Sequence, residues 1–119
     1  MIYSTYFAKL SKLPSSIIPV AICRVPPKWY GGKLYQKIAP SEQMLWEFKR
    51  SMNLSRYEER YALEVLYGLN AHEVANDLMR IAGSEDVAMV CFEKQPPCHR
   101  FWVNEWLNMF DIPAEEFKF

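Results

Sequence analysis

DVAMVCFEKQPPCHRFWVNEWLNMF, residues 86–110, is the stretch that decides the fold. Its first part, Asp86-Val87-Ala88-Met89-Val90-Cys91-Phe92, is short, apolar and partly β-branched, the composition of a strand covered on both faces. Pro96-Pro97 then breaks the run, and Phe101, Trp102, Val103, Trp106, Leu107 and Phe110 recur at helical spacing. The pattern predicts a helix from about Cys98 to Phe110, with Pro97 near its first turn. A covered strand leading into a helix is a unit of an α/β fold built on a parallel sheet. It also brings Cys91, Glu93, Cys98, His99 and Arg100 to one strand-to-helix junction. There the free N–H groups and the macrodipole of a helix N-terminus favour an anion.

The rest of the chain follows the same alternation. Ile2 to Thr5 reads as a strand, and Phe7 to Leu13 as a brief helical or turn segment ended by Pro14. Ile17 to Cys23 reads as a second strand, in which Pro19 marks either the start of regular pairing or a nearby edge. From Val25 to Pro40 no period holds, and Gly31-Gly32 beside Trp29, Tyr30 and Tyr35 predicts an irregular, ligand-facing loop. Helices are expected at Ser41–Met52, Ser55–Leu69 and Asn70–Ala82. Ser55 with Glu58 and Asn70 with Glu73 have capping-box spacing, and Gly83 suits the end of the last helix. The stripes Met44, Leu45, Phe48, Met52 and Tyr57, Tyr61, Leu63, Leu66, Tyr67 read as core. Residues 1–119 are expected to form one domain, an α/β sandwich around a mainly parallel sheet of three or four strands flanked by helices.

Composition bounds the function classes. An apolar fraction of 50% with four Trp, seven Tyr and seven Phe excludes a disordered chain. Met1 to Tyr6 has no signal-peptide pattern and no apolar run nears the roughly 18 residues of a membrane span, so a cytoplasmic protein without a membrane partner is expected. Three cysteines, an odd number, predict reduced thiols rather than a disulfide framework. The zero net charge hides an asymmetry: Lys9, Lys12, Arg24, Lys28, Lys33 and Lys37 precede the first acid, Glu42. The acids at the other end, Glu105, Asp111, Glu115 and Glu116, read as a solvated surface.

Ligands of parallel α/β sheets gather at the carboxyl ends of the strands, and here those ends carry Ser4, Arg24 and Cys91 to Glu93. Strand alternation turns Cys91 and Glu93 to one face. One cleft is therefore expected to collect Ser4, Arg24, Cys91, Glu93, Cys98, His99 and Arg100.

The pattern Cys91-x-Glu93, a Pro-containing loop and Cys98-His99-Arg100 opening a helix resembles the prokaryotic and phage family catalogued as domain of unknown function 488. Tyr3-Ser4-Thr5 at the first strand and Arg24-x-Pro26 after the second match that family too, so the resemblance runs from Met1 to about Leu107. It implies the same fold and the same site, and no particular reaction.

Three readings of the site remain open. In the first, a phosphate-bearing, nucleotide-like ligand is held by Arg24 and Arg100 as anion clamps with Ser4 nearby. Glu93 then serves as general acid or base, and Cys98, beside His99 at a helix N-terminus, as the thiol most easily activated, while Cys91 is a packed thiol. Arg100 paired to Glu93 as an internal tie, with His99 capping the helix, is the structural counterpart of that reading. In the second, Cys91, Cys98, His99 and Cys23 hold zinc; the spacing is not that of a knuckle, adjacent Cys98 and His99 are poorly arranged to share an ion, and no metal or cofactor is expected. In the third, the protein is an interaction module whose basic aromatic loop, Arg24 to Lys37, binds nucleic acid or a host protein through Trp29 and Tyr30. Trp29 equally suits an anchor that pins this loop, the favoured reading beside Pro26-Pro27.

Overall fold

The computed structural model describes residues 1–119. Five strands form one parallel sheet: β1 (Ile2–Tyr6), β2 (Ile18–Ala21), β3 (Lys33–Leu34), β4 (Val87–Cys91) and β5 (Ala114–Glu116), in the order β3-β2-β4-β1-β5. Four α-helices accompany them: α1 (Glu42–Ser51), α2 (Leu54–Tyr61), α3 (Ala71–Ala82) and α4 (His99–Met109). The α/β class is as expected, with more strands than the three or four expected. β3 and β5 are edge strands of two and three residues, too short to carry an alternating pattern.

β4 sits at the centre because it can: all five of its residues are buried, as a strand flanked on both sides and covered on both faces requires. β1 and β2 pair with it in matching register, Ile2 and Ile18 both opposite Val87. Pro19 is tolerated because the N–H groups of Ile18 and Ile22 point to β4, so the missing donor of Pro19 faces β3. β3 pairs only with Val20 and Ala21, leaving that side of Pro19 unpartnered. The larger core cluster gathers Ile2, Val20, Val87 and Met89 with Val74 and Leu78 of α3 and Val103 and Leu107 of α4. A smaller cluster joins Ala21, Cys23, Val90 and Cys91 with Phe7, in the 3-10 turn Phe7–Lys12, and Cys98.

Helix ends follow side-chain chemistry. Ser41 accepts from the Met44 N–H and Asn70 from the Glu73 N–H, while Gly83, at φ 68°, closes α3 in the left-handed region. Ser55 is not a cap: Asn53 takes that place, accepting from the Arg56 N–H, so α2 starts before Ser55. The single helix expected from Ser55 to Leu69 is instead α2 followed by a π-helical turn, Ala62–Leu66, with the buried Tyr61 hydroxyl donating to the Ile38 carbonyl at 2.6 Å. No helix is long and apolar enough to cross a membrane.

Candidate functional site

A cleft of about 680 Å³ opens beyond the carboxyl ends of β2 and β4. Its floor and one wall come from Cys23, Arg24 and Val25 after β2, from Cys91, Phe92 and Glu93 at the end of β4, and from Pro97, Cys98 and His99 at the start of α4. α1 supplies Glu42, Leu45, Phe48 and Lys49, and α2 supplies Tyr57. Phe48 and Tyr57 stack with ring centroids 4.8 Å apart, making an aromatic wall. Arg24 is held at the rim by the Ala39 and Pro40 carbonyls, 3.3 and 3.4 Å from its guanidinium.

His99 is buried, with Nε2 2.8 Å from the Ile22 carbonyl. That oxygen can only accept, so Nε2 carries the hydrogen and Nδ1 keeps its lone pair. Burial pushes the imidazole down to about 4, and the charge of Arg100 pushes the same way against the Ile22 hydrogen bond, so the ring is neutral at pH 7. Burial, with the charge of Glu93 second, raises the Tyr57 phenol to about 12, which keeps it a hydrogen-bond donor. Burial also raises the Cys23 thiol.

Of the residues expected to converge, Arg24, Cys91, Glu93, Cys98 and His99 line the cleft, and Ser4 and Arg100 do not. Arg100 is 0% exposed. Its Nε and Nη2 bind the Glu116 carboxylate at 3.0 and 2.8 Å, Nη1 meets the Glu93 carbonyl, and Nη2 reaches the Lys94 carbonyl at 3.2 Å. Arg100 is thus an internal tie, but its carboxylate is Glu116 rather than Glu93, and Glu116 is not merely solvated surface. Ser4 belongs to the same network: its hydroxyl donates to Glu116 at 2.6 Å and accepts from Asn104 at 2.8 Å.

The cysteines also depart from expectation. Cys91 and Cys98 are joined as a disulfide, and Cys23 alone is a free thiol. The end of β4 and the residue capping α4 bring the two sulfurs together, a proximity that sequence spacing does not reveal. A neutral His99 also lends Cys98 no positive charge. The ligand atoms of Cys91, Cys98 and His99 all lie within 4.8 Å of one another, so the adjacency of Cys98 and His99 is no obstacle to their converging.

Of the basic loop, only Arg24 and Val25 line the cleft; Trp29, Tyr30 and the lysines do not. Trp29 is 64% exposed and packs edge-on against Phe7, so it is not a buried anchor. Tyr30 donates to the Lys33 carbonyl at 2.6 Å and lays its ring over Gly32, where a Cβ would come within 2.7 Å of it. Sequence reasoning missed the contribution of α1 and α2. Phe48, Met52 and Tyr57 look like core positions in a helical stripe, yet they end at the cleft, and Lys49 brings a second cation.

A parallel α/β sheet whose central strand delivers Cys91-x-Glu93, followed by Cys98-His99-Arg100 at a helix start, defines a protein of the DUF488 type. The chain belongs to the DUF488-N3a family, the active DUF488-N3 subclade, whose profile matches residues 12–110. No curated protein and no solved structure matches the chain.

Proposed function

We propose that the cleft binds a phosphate-bearing, nucleotide-like ligand. The observation that carries this reading is one cleft holding two cations, Arg24 and Lys49, beside the stacked pair Phe48 and Tyr57. An anionic group meets the cations, and a planar ring meets the aromatic wall. Glu42 and Glu93 are the acceptors for sugar hydroxyls, and Tyr57 is a donor. The description of the family as active favours a reaction over mere binding, and Glu93 is the carboxylate available to move a proton.

A thermal-shift panel of nucleosides and nucleotides tests the reading. Ligand at about 100 times its Kd stabilises the folded state by about 2.7 kcal/mol. A nucleotide is expected to raise Tm more than its nucleoside, and Arg24→Ala with Lys49→Ala to remove the difference. No shift across the panel, or an undiminished shift in the double variant, refutes it.

A second reading rests on the exposed aromatic rim around Phe7. Trp29 and Phe92, 64% and 50% exposed, flank Phe7 with ring centroids 5.9 and 5.0 Å from it, and Trp29 lies between Lys28 and Lys33 in sequence. Exposed aromatics beside basic residues suit an interaction protein that stacks single-stranded bases or docks on a host protein. Binding to this rim depends on Trp29 and is indifferent to Lys49.

A further inference from the structure

We infer that Cys91, Cys98 and His99, in the reduced chain, form a binding site for a soft divalent cation of the zinc type, open to the cleft. Two sulfurs and an imidazole nitrogen lie within 4.8 Å of one another, and all three residues are buried. Thiolate and imidazole are the donors that zinc prefers. Because all three residues line the cleft, an ion they hold keeps a position facing it, the arrangement of reactive rather than structural zinc sites.

Two further contacts point the same way. His99 donates from Nε2 to the Ile22 carbonyl, which leaves the Nδ1 lone pair available and fixes the ring, as the outer partners of metal-bound histidines do. Arg100 Nη1 donates a hydrogen bond to Cys91 Sγ at 3.5 Å, an outer contact of the kind that holds a metal ligand in place. The backbone agrees: the Cα atoms of Cys91 and Cys98 are 7.5 Å apart, beyond the roughly 4.4–6.8 Å that a disulfide usually spans. An ion between the two sulfurs suits that spacing better than a direct bond. Binding transfers one proton from each thiol to solvent and changes no oxidation state. The inference stands independently of the nucleotide reading.

The test is Co²⁺ titration of the chain reduced with a phosphine and stripped with chelator. One Co²⁺ per chain is expected, with a thiolate-to-cobalt charge-transfer band and the intense visible bands of four-coordinate cobalt, both bleached by Zn²⁺. Cys98→Ser should lose about half of the charge-transfer intensity and weaken binding by more than about tenfold, outer partners alone being worth that much. His99→Gln should alter the visible bands, and His72→Gln, at the exposed second histidine, should change nothing. Absence of the thiolate band in folded, reduced wild-type protein overturns the inference, even if a cysteine variant fails to fold. An unchanged band in Cys98→Ser overturns it equally. Neither outcome depends on nucleotide binding.

Discussion

Replacing Arg100 with Met separates a structural tie from an anion clamp. Methionine keeps an unbranched stem, so much of the packing between Tyr6 and Phe101, whose ring centroids lie 5.7 and 4.2 Å from the guanidinium carbon, survives. What is lost is the paired contact with Glu116 and the hydrogen bonds to the Glu93 and Lys94 carbonyls. Hydrogen bonds to a charged group contribute about 1.5–3 kcal/mol each, but the Glu116 side chain is 32% exposed and regains water. The sum therefore falls in the range for breaking a buried ion pair, about 3–5 kcal/mol. Urea unfolding at pH 7 measures it, with Glu116→Gln expected to cost at least as much because it leaves the fully buried Arg100 cation without its counter-charge. Stability unchanged within about 1 kcal/mol would refute the reasoning. Loss of nucleotide binding without loss of stability would return Arg100 to the role of clamp.

His99 gives a pH signature. Its folded value of about 4 lies below the ordinary 6.5, so between these values the unfolded chain binds more protons. The resulting penalty is absent above about pH 6.5, grows as pH falls, and approaches about 3 kcal/mol near pH 4. Unfolding of metal-free protein across this window should show that slope, and His99→Gln should flatten it; equal slopes in both proteins contradict a buried neutral ring. Trp29→Ala should cost only about 0.5–1.5 kcal/mol of stability, since the ring is exposed and makes edge contacts, against the roughly 3–5 kcal/mol of a core tryptophan. If the same variant loses about 1–3 kcal/mol of salt-dependent binding to single-stranded nucleic acid, the interaction reading gains; wild type that binds none ends it.

The central part of the fold was legible because burial writes itself into composition. β4 is apolar throughout, and α4 repeats aromatics at helical spacing, so strand, break and helix could be read from residues 86–110 alone. β5 could not, because Ala114-Glu115-Glu116 looks like a charged tail until α4 and β1 are in place to receive it. Two caps of the same sequence type had opposite outcomes for a local reason. Asn70 has no competitor upstream, whereas Ser55 follows Asn53, whose amide oxygen reaches the Arg56 N–H and starts the helix earlier.

The site shows why adjacency in sequence is a weak guide to function at a helix start. Successive helical residues point about 100° apart, so His99 and Arg100 leave the axis in different directions. Cys98, which precedes the helix in an extended conformation, turns its sulfur to Cys91, and His99 sends its ring to Ile22 at the back of the cleft. Arg100 swings under the sheet edge to Glu116 and holds the loop after β4 by its carbonyls. The motif that reads as one cluster of reactive groups is therefore divided. Cys98 and His99 face the cleft, while Arg100 fixes the backbone that positions Glu93 and touches Cys91 from behind. The cations that line the cleft, Arg24 and Lys49, are two elements apart in sequence, and only the packing of α1 over the ends of β2 and β4 brings them together.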